Sequence, residues 1–141
     1  MQNTRQFGGN QILKLKQLQQ SNMSLRRDSE IEPIQGNEGT KIKQFFHPHN
    51  TLEGIGYSLA QFTLEPGKSS KLHKLKSSEI YYILEGKANL RIEGENMKLG
   101  KDDSAYVPPN AVQNIKNIGN DDLRFLCIVE PAWKEEDEII L

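Results

Sequence analysis

The chain has 141 residues, enough for one domain with a sizeable core and too few for two ordinary ones. Lys and Arg total 18 against 19 Asp and Glu, a near balance that argues against nucleic acid as a partner. Apolar residues make up 35%, low for a tightly folded chain of this length, so part of the sequence is expected outside the core.

Residues 1–39 read as an N-terminal arm, partly flexible or associated with a dimer partner. Its first part carries Arg5, Lys14, Lys16, Arg26 and Arg27 against Asp28 and Glu30. Ile12, Leu13, Leu15 and Leu18 fit one face of a short helix, since three- and four-residue spacings superpose side chains. That face buries little by itself. The opening MQNTRQFGGNQILKLKQLQQ has no apolar run like a signal sequence, and nothing in the chain approaches the roughly 18 successive apolar residues of a membrane span. A cytoplasmic location and no membrane partner are therefore expected.

From residue 40 the pattern changes to short strands. TKIKQFFHP, GYSLAQFTLEPG, EIYYILEG, KANLRIEG, ENMKLGKD, SAYVPP, AVQNIKNIGN and DLRFLCIVEP are rich in β-branched and aromatic residues, with Gly and Pro between them. Turn signals recur about every ten residues and no long amphipathic helix interrupts them, which favours an all-β sandwich or barrel over an α/β enzyme fold. The β domain is expected over 40–131, with 132–141 an acidic tail. KEEDE should be exposed by charge repulsion, while Ile139, Ile140 and Leu141 could dock on a subunit or on the arm. The lone Cys127 cannot form an internal disulfide and reads as a small buried hydrophobe.

Side-chain parity offers candidates for a binding pocket. Residues two apart on a strand share a face, so His73 groups with Leu75, and Glu79 with Tyr81 and Ile83. Tyr57 and Gln61 share one parity and Phe62 and Leu64 the other; the first pair could face a polar cavity, and the opposite assignment is equally open. Tyr81 and Tyr106 are further candidates, since a phenol offers apolar contact and one hydrogen bond. Lys68, Lys71, Lys74 and Lys76 around His73 could attract an anion, but a solvated strand edge is the simpler account. No Gly-rich phosphate loop and no Ser-His-acid order is recognisable.

GKSSKLHKLKSSEIYYILEG carries Gly67, His73, Glu79 and Gly86, and further on stand Asp102, Pro108, Pro109, Asn110, Gln113 and Asn117. These two blocks resemble the two motifs of small single-domain cupins, and the resemblance extends over about 45–131. It implies a double-stranded β-helix, or jelly-roll barrel, in which His73, Glu79 and the residue at 113 point into a cavity that often holds a metal. The departures lie among the ligands. Leu75 stands where the motif has its second His, Gln113 where it has its third, and Asn110 where it has a turn Gly. A full set of three imidazoles and a carboxylate suits Mn, Fe, Ni or Zn and leaves positions for water or substrate. Here His73 and Glu79 are good donors, Gln113 offers only a neutral amide oxygen, and Leu75 offers nothing. His47 and His49 have the H-x-H spacing that places two imidazoles on one face, but they lie outside the motif positions, so any metal role for them rests on local chemistry alone.

The reading that follows is a small-molecule-binding cupin with no certain cofactor, in which His73, Glu79, Gln113, Tyr81, Tyr57, Gln61 and Tyr106 are the candidate contacts. One alternative is a divalent-metal cupin enzyme (an oxygenase, isomerase or lyase), with Glu79 as acid/base and His73 as metal holder or proton-transfer partner. Another is a structural or protein-interaction barrel whose interior is filled by side chains. A homodimer is expected, because small barrels with exposed edges gain protection by pairing.

Overall fold

A computed structural model describes residues 24–36 and 39–141. The helical face expected from Ile12 to Leu18 lies outside the described residues.

Alternation generates the architecture. In Leu123–Glu130 the residues Leu123, Phe125, Cys127 and Val129 are buried and those between them are not, the period of a strand with one face on a core. The strands in chain order are β1 (Ile34–Gln35), β2 (Lys41–Phe46), β3 (Ser58–Leu64), β4 (His73–Leu75), β5 (Ser78–Glu85), β6 (Ala88–Ile92), β7 (Glu95–Leu99), β8 (Ser104–Val107), β9 (Gln113–Asn117), β10 (Leu123–Glu130) and β11 (Glu138–Ile140). One six-stranded sheet runs β1-β2-β3-β10-β5-β8 and a five-stranded sheet runs β11-β4-β9-β6-β7. The ladders between these strands are antiparallel. The result is the all-β jelly roll expected from the sequence, and each of the eight strand-like stretches corresponds to a strand.

The inner faces divide the barrel into a filled end and an open end. Leu64, Ile83, Ala88, Leu90, Val107, Ile115 and Leu123 pack into one cluster at the filled end. Asn117 helps to close it: its Nδ2 donates to the carbonyls of Leu64 at 2.9 Å and Asp121 at 2.8 Å, and its Oδ1 accepts from the Gly119 amide. Turn chemistry fixes how strands enter this core. Asn110, at the motif's turn position, has φ 66°, a left-handed conformation that Asn tolerates. Gly86 has φ 94°, and a Cβ there would lie 2.9 Å from the Asp122 carbonyl oxygen, so the β5–β6 turn admits only Gly.

The structure differs from expectation at both ends of the domain. The tail boundary at 131 does not hold as a limit of the sheet: β11 pairs with β4, and the Leu141 amide donates to the Leu72 carbonyl at 2.9 Å. The acidic run is accommodated by a 3-10 turn over Glu135–Asp137, which keeps Glu135 and Glu136 exposed while the EII that follows completes the edge of the sheet. At the other end, Ile34 and Gln35 pair with Ile42 and Lys41, so the barrel begins before residue 40.

Candidate ligand cavity

The open end encloses a cavity of about 680 Å³. Inward positions of four strands line it: Ser58, Ala60 and Phe62 on β3, Glu79 and Tyr81 on β5, Phe125, Cys127 and Val129 on β10, and His73 and Leu75 on β4. Further along the same strands Leu64, Ile83 and Leu123 fill the interior instead. Phe62 and Phe125, register partners, stack with centroids 5.3 Å apart and planes 4° apart, and Tyr81 leans on Phe125 at 5.4 Å. These rings make a rigid apolar wall.

A polar cluster crosses the inside of the barrel between the two sheets. Tyr81 donates its hydroxyl to Gln113 Oε1, and Gln113 Nε2 donates to Glu79 Oε1 at 2.9 Å. An ionised carboxylate only accepts, which matches an amide nitrogen facing Glu79. His73 is the register partner of Gln113 across β4 and β9. Its Nδ1 lies 2.7 Å from the Lys71 carbonyl oxygen. That oxygen can only accept, so Nδ1 carries a proton, and a neutral ring in this tautomer keeps its lone pair on Nε2.

These residues do not fit the metal that the fold family often holds. Leu75 occupies one ligand position with an apolar side chain buried against the cavity. Gln113, only 1% exposed, stands behind the cavity surface with its oxygen turned to Tyr81 and its nitrogen to Glu79. The motif position at 113 therefore acts as a tie between sheets, a correction to its expected place among the ligand and metal contacts. Among the described residues no group of three His, Cys, Asp or Glu side chains is arranged to hold a metal ion.

His47 and His49 are not brought to His73 and Glu79 as further donors. His47 is buried, donates from Nε2 to the Trp133 carbonyl at 2.7 Å, and accepts on Nδ1 from the His49 amide at 3.1 Å. Both ring nitrogens are occupied, so this imidazole is a strut joining the 47–52 loop to the C-terminal segment. His49 is exposed at the cavity mouth and meets the His47 ring edge-on at 5.2 Å.

Three other expected contacts lie elsewhere. Tyr57 precedes β3 and is exposed. Gln61 faces the outer side of β3, opposite to cavity-lining Ala60 and Phe62. Tyr106 is 58% exposed on the outer face, opposite Ile80, because its neighbour Val107 takes the inward position on β8. The lysines 68, 71, 74 and 76 are not among the cavity-lining residues, as a solvated edge requires. The residues missed include Phe62 and Phe125 of the wall, and Trp133 and Glu138, which line the cavity and are joined by a 2.7 Å hydrogen bond from the indole nitrogen to Glu138 Oε1. The apolar EII after the charge run was the available signal for a strand at the C-terminal edge. The filled-barrel alternative also differs from this interior, whose open end is lined but not filled by described side chains.

Residues 60–129 match the cupin domain family. An uncharacterised protein of Methanocaldococcus jannaschii is 38% identical over 112 residues, covering 79% of this chain and 89% of that one. An oxalate-binding protein of Thermotoga maritima is 29% identical over 109 residues, covering 73% of this chain and 90% of its own length. Among solved structures, a predicted oxalate decarboxylase from Thermotoga maritima superposes with a TM-score of 0.65 at 29% identity, covering 76% of this chain and 98% of that one. Sequence motifs, jelly-roll topology and these relatives agree: the chain belongs to the cupin family.

Proposed function

We propose that this cupin binds a small organic molecule in its cavity, with no metal ion holding it. The observation that carries the reading is the cluster at the barrel interior, where Gln113 is spent on Tyr81 and Glu79 beside an apolar-walled space of about 680 Å³. A space of this size with a few convergent polar groups suits a small ligand. His73 and Glu79 would fix its polar atoms, and Tyr81 with Phe125 would supply contact area. The names of the Thermotoga maritima relatives, one oxalate-binding and one a predicted oxalate decarboxylase, support a small molecule as the occupant. The test is mass spectrometry of the natively purified protein combined with a high-resolution crystal structure. An organic molecule released on denaturation and seen beside Glu79 is the expected result. An ordered metal with an open coordination position, or an interior closed by side chains, would overturn it.

Pairing of two copies is part of the same proposal. Phe46, Leu59, Ile128, Ile80 and Tyr106 form one register row across the outer face of the six-stranded sheet, from β2 to β8. Ile128, Ile80 and Tyr106 are each well exposed. An apolar row of this kind can meet its own copy across a two-fold axis. Sedimentation equilibrium at micromolar concentration should give twice the chain mass, and Tyr106→Glu should shift it towards the monomer. A monomeric wild type counts against the pairing.

A further inference from the structure

The charge and hydrogen-bond direction of the cavity point to a class of ligand, which rests on the small-molecule reading above. Four carboxylates line the cavity, Glu79 within it and Glu135, Glu136 and Glu138 towards the C-terminal edge. Among the described lining residues they face one ammonium, that of exposed Lys134, and no guanidinium. An anion entering this space would meet like charge with little compensation.

Direction adds a second constraint. Glu79 is an acceptor-only group when ionised, and its described partner, the Gln113 amide, is neutral. In its neutral form His73 presents a lone pair on Nε2, because Nδ1 carries the proton given to the Lys71 carbonyl. The polar groups at the cavity's inner end therefore ask the ligand for donors. The walls ask for something more, since Phe62, Phe125 and Trp133 line the same space and aromatic faces attract cations.

We propose that the occupant is an organic cation: an ammonium-bearing molecule whose N–H groups donate to Glu79 and His73 and whose apolar part lies against the Phe62–Phe125 wall. The bound cation would offset the cost of burying the Glu79 carboxylate, which is 5% exposed. This reading sets the chain apart from a binder of dicarboxylates, despite its similarity to an oxalate-binding protein.

Matched probes with one skeleton and three head groups test it: tryptamine, tryptophol and indole-3-acetate, with oxalate as a fourth. Binding to the full-length protein is read by calorimetry at low salt. Tryptamine should bind at least about tenfold more tightly than tryptophol, as a charge-assisted contact to a buried carboxylate implies, with indole-3-acetate and oxalate weakest. In Glu79→Gln, which keeps an acceptor for the Gln113 amide, the advantage of tryptamine over tryptophol should fall to within about threefold while tryptophol still binds. Equal binding of the three indoles, or tighter binding of either carboxylate probe, overturns the cation assignment and leaves small-molecule binding standing. Failure of every probe to bind, with a cavity seen closed by side chains, overturns both. The wild-type ranking stands by itself if Glu79→Gln does not fold.

Discussion

Zinc and manganese affinity is expected to rise by about a hundredfold or more when Leu75→His and Gln113→His are introduced together. His73 and Leu75 are both buried on the cavity face of β4, and Gln113 is the register partner of His73 on β9. Imidazoles at 75 and 113 would therefore converge with His73 beside the Glu79 carboxylate, supplying the three nitrogens and one oxygen that first-row ions favour. Leu75→His alone should gain less, because Gln113 would keep its amide nitrogen on Glu79. Elemental analysis of wild type prepared without chelator should give well under one ion per chain, and chelator competition should show the rise in the double variant. One tightly held ion in wild type would overturn the metal-free reading, and no gain in a folded double variant would show that the inner face has been placed wrongly.

The part of this that could be read from sequence was the part carried by period and turn chemistry. DLRFLCIVEP alternates so cleanly that β10 and its inner face follow directly, and Gly86 and Asn110 mark turns whose left-handed backbones the structure contains. β3 was harder for a physical reason. A strand bordering a cavity carries small residues inward, so Ser58 and Ala60 on the inner face look less apolar than Leu59 on the outer one. Tyr106 misled in the same way, since outer Ile80, Ile128 and Tyr106 are as apolar as core residues. Trp133 and Glu138 were hidden because charge repulsion in KEEDE argues for solvent, whereas a single 3-10 turn exposes the run and lets the next residues join β4. For Gln113 the sequence shows only an amide in place of an imidazole. Which way that amide points is decided by Tyr81 and Glu79 on the opposite sheet, and no local pattern encodes it.

Phe125→Ala is expected to lower the unfolding free energy by about 3–5 kcal/mol, the range for truncating a buried aromatic. Phe125 is 1% exposed and belongs to both halves of the barrel: it is a member of the filled core and also lines the cavity. Its ring stacks on Phe62 and supports Tyr81. Alanine would remove those contacts and merge the lost volume with the existing space, where β3 and β10 are held in register by their backbone ladder and cannot collapse inward. Such a loss is a large share of the roughly 5–15 kcal/mol by which a domain is stable. Tyr81 would also lose the surface that aims its hydroxyl at Gln113, so small-molecule affinity should fall together with stability. Ile128→Ala on the outer face, measured in monomeric protein, is the control, with an expected cost near or below about 1 kcal/mol. Urea unfolding compares the two. A Phe125→Ala loss no larger than the Ile128→Ala loss would mean that the aromatic wall does not join core to cavity.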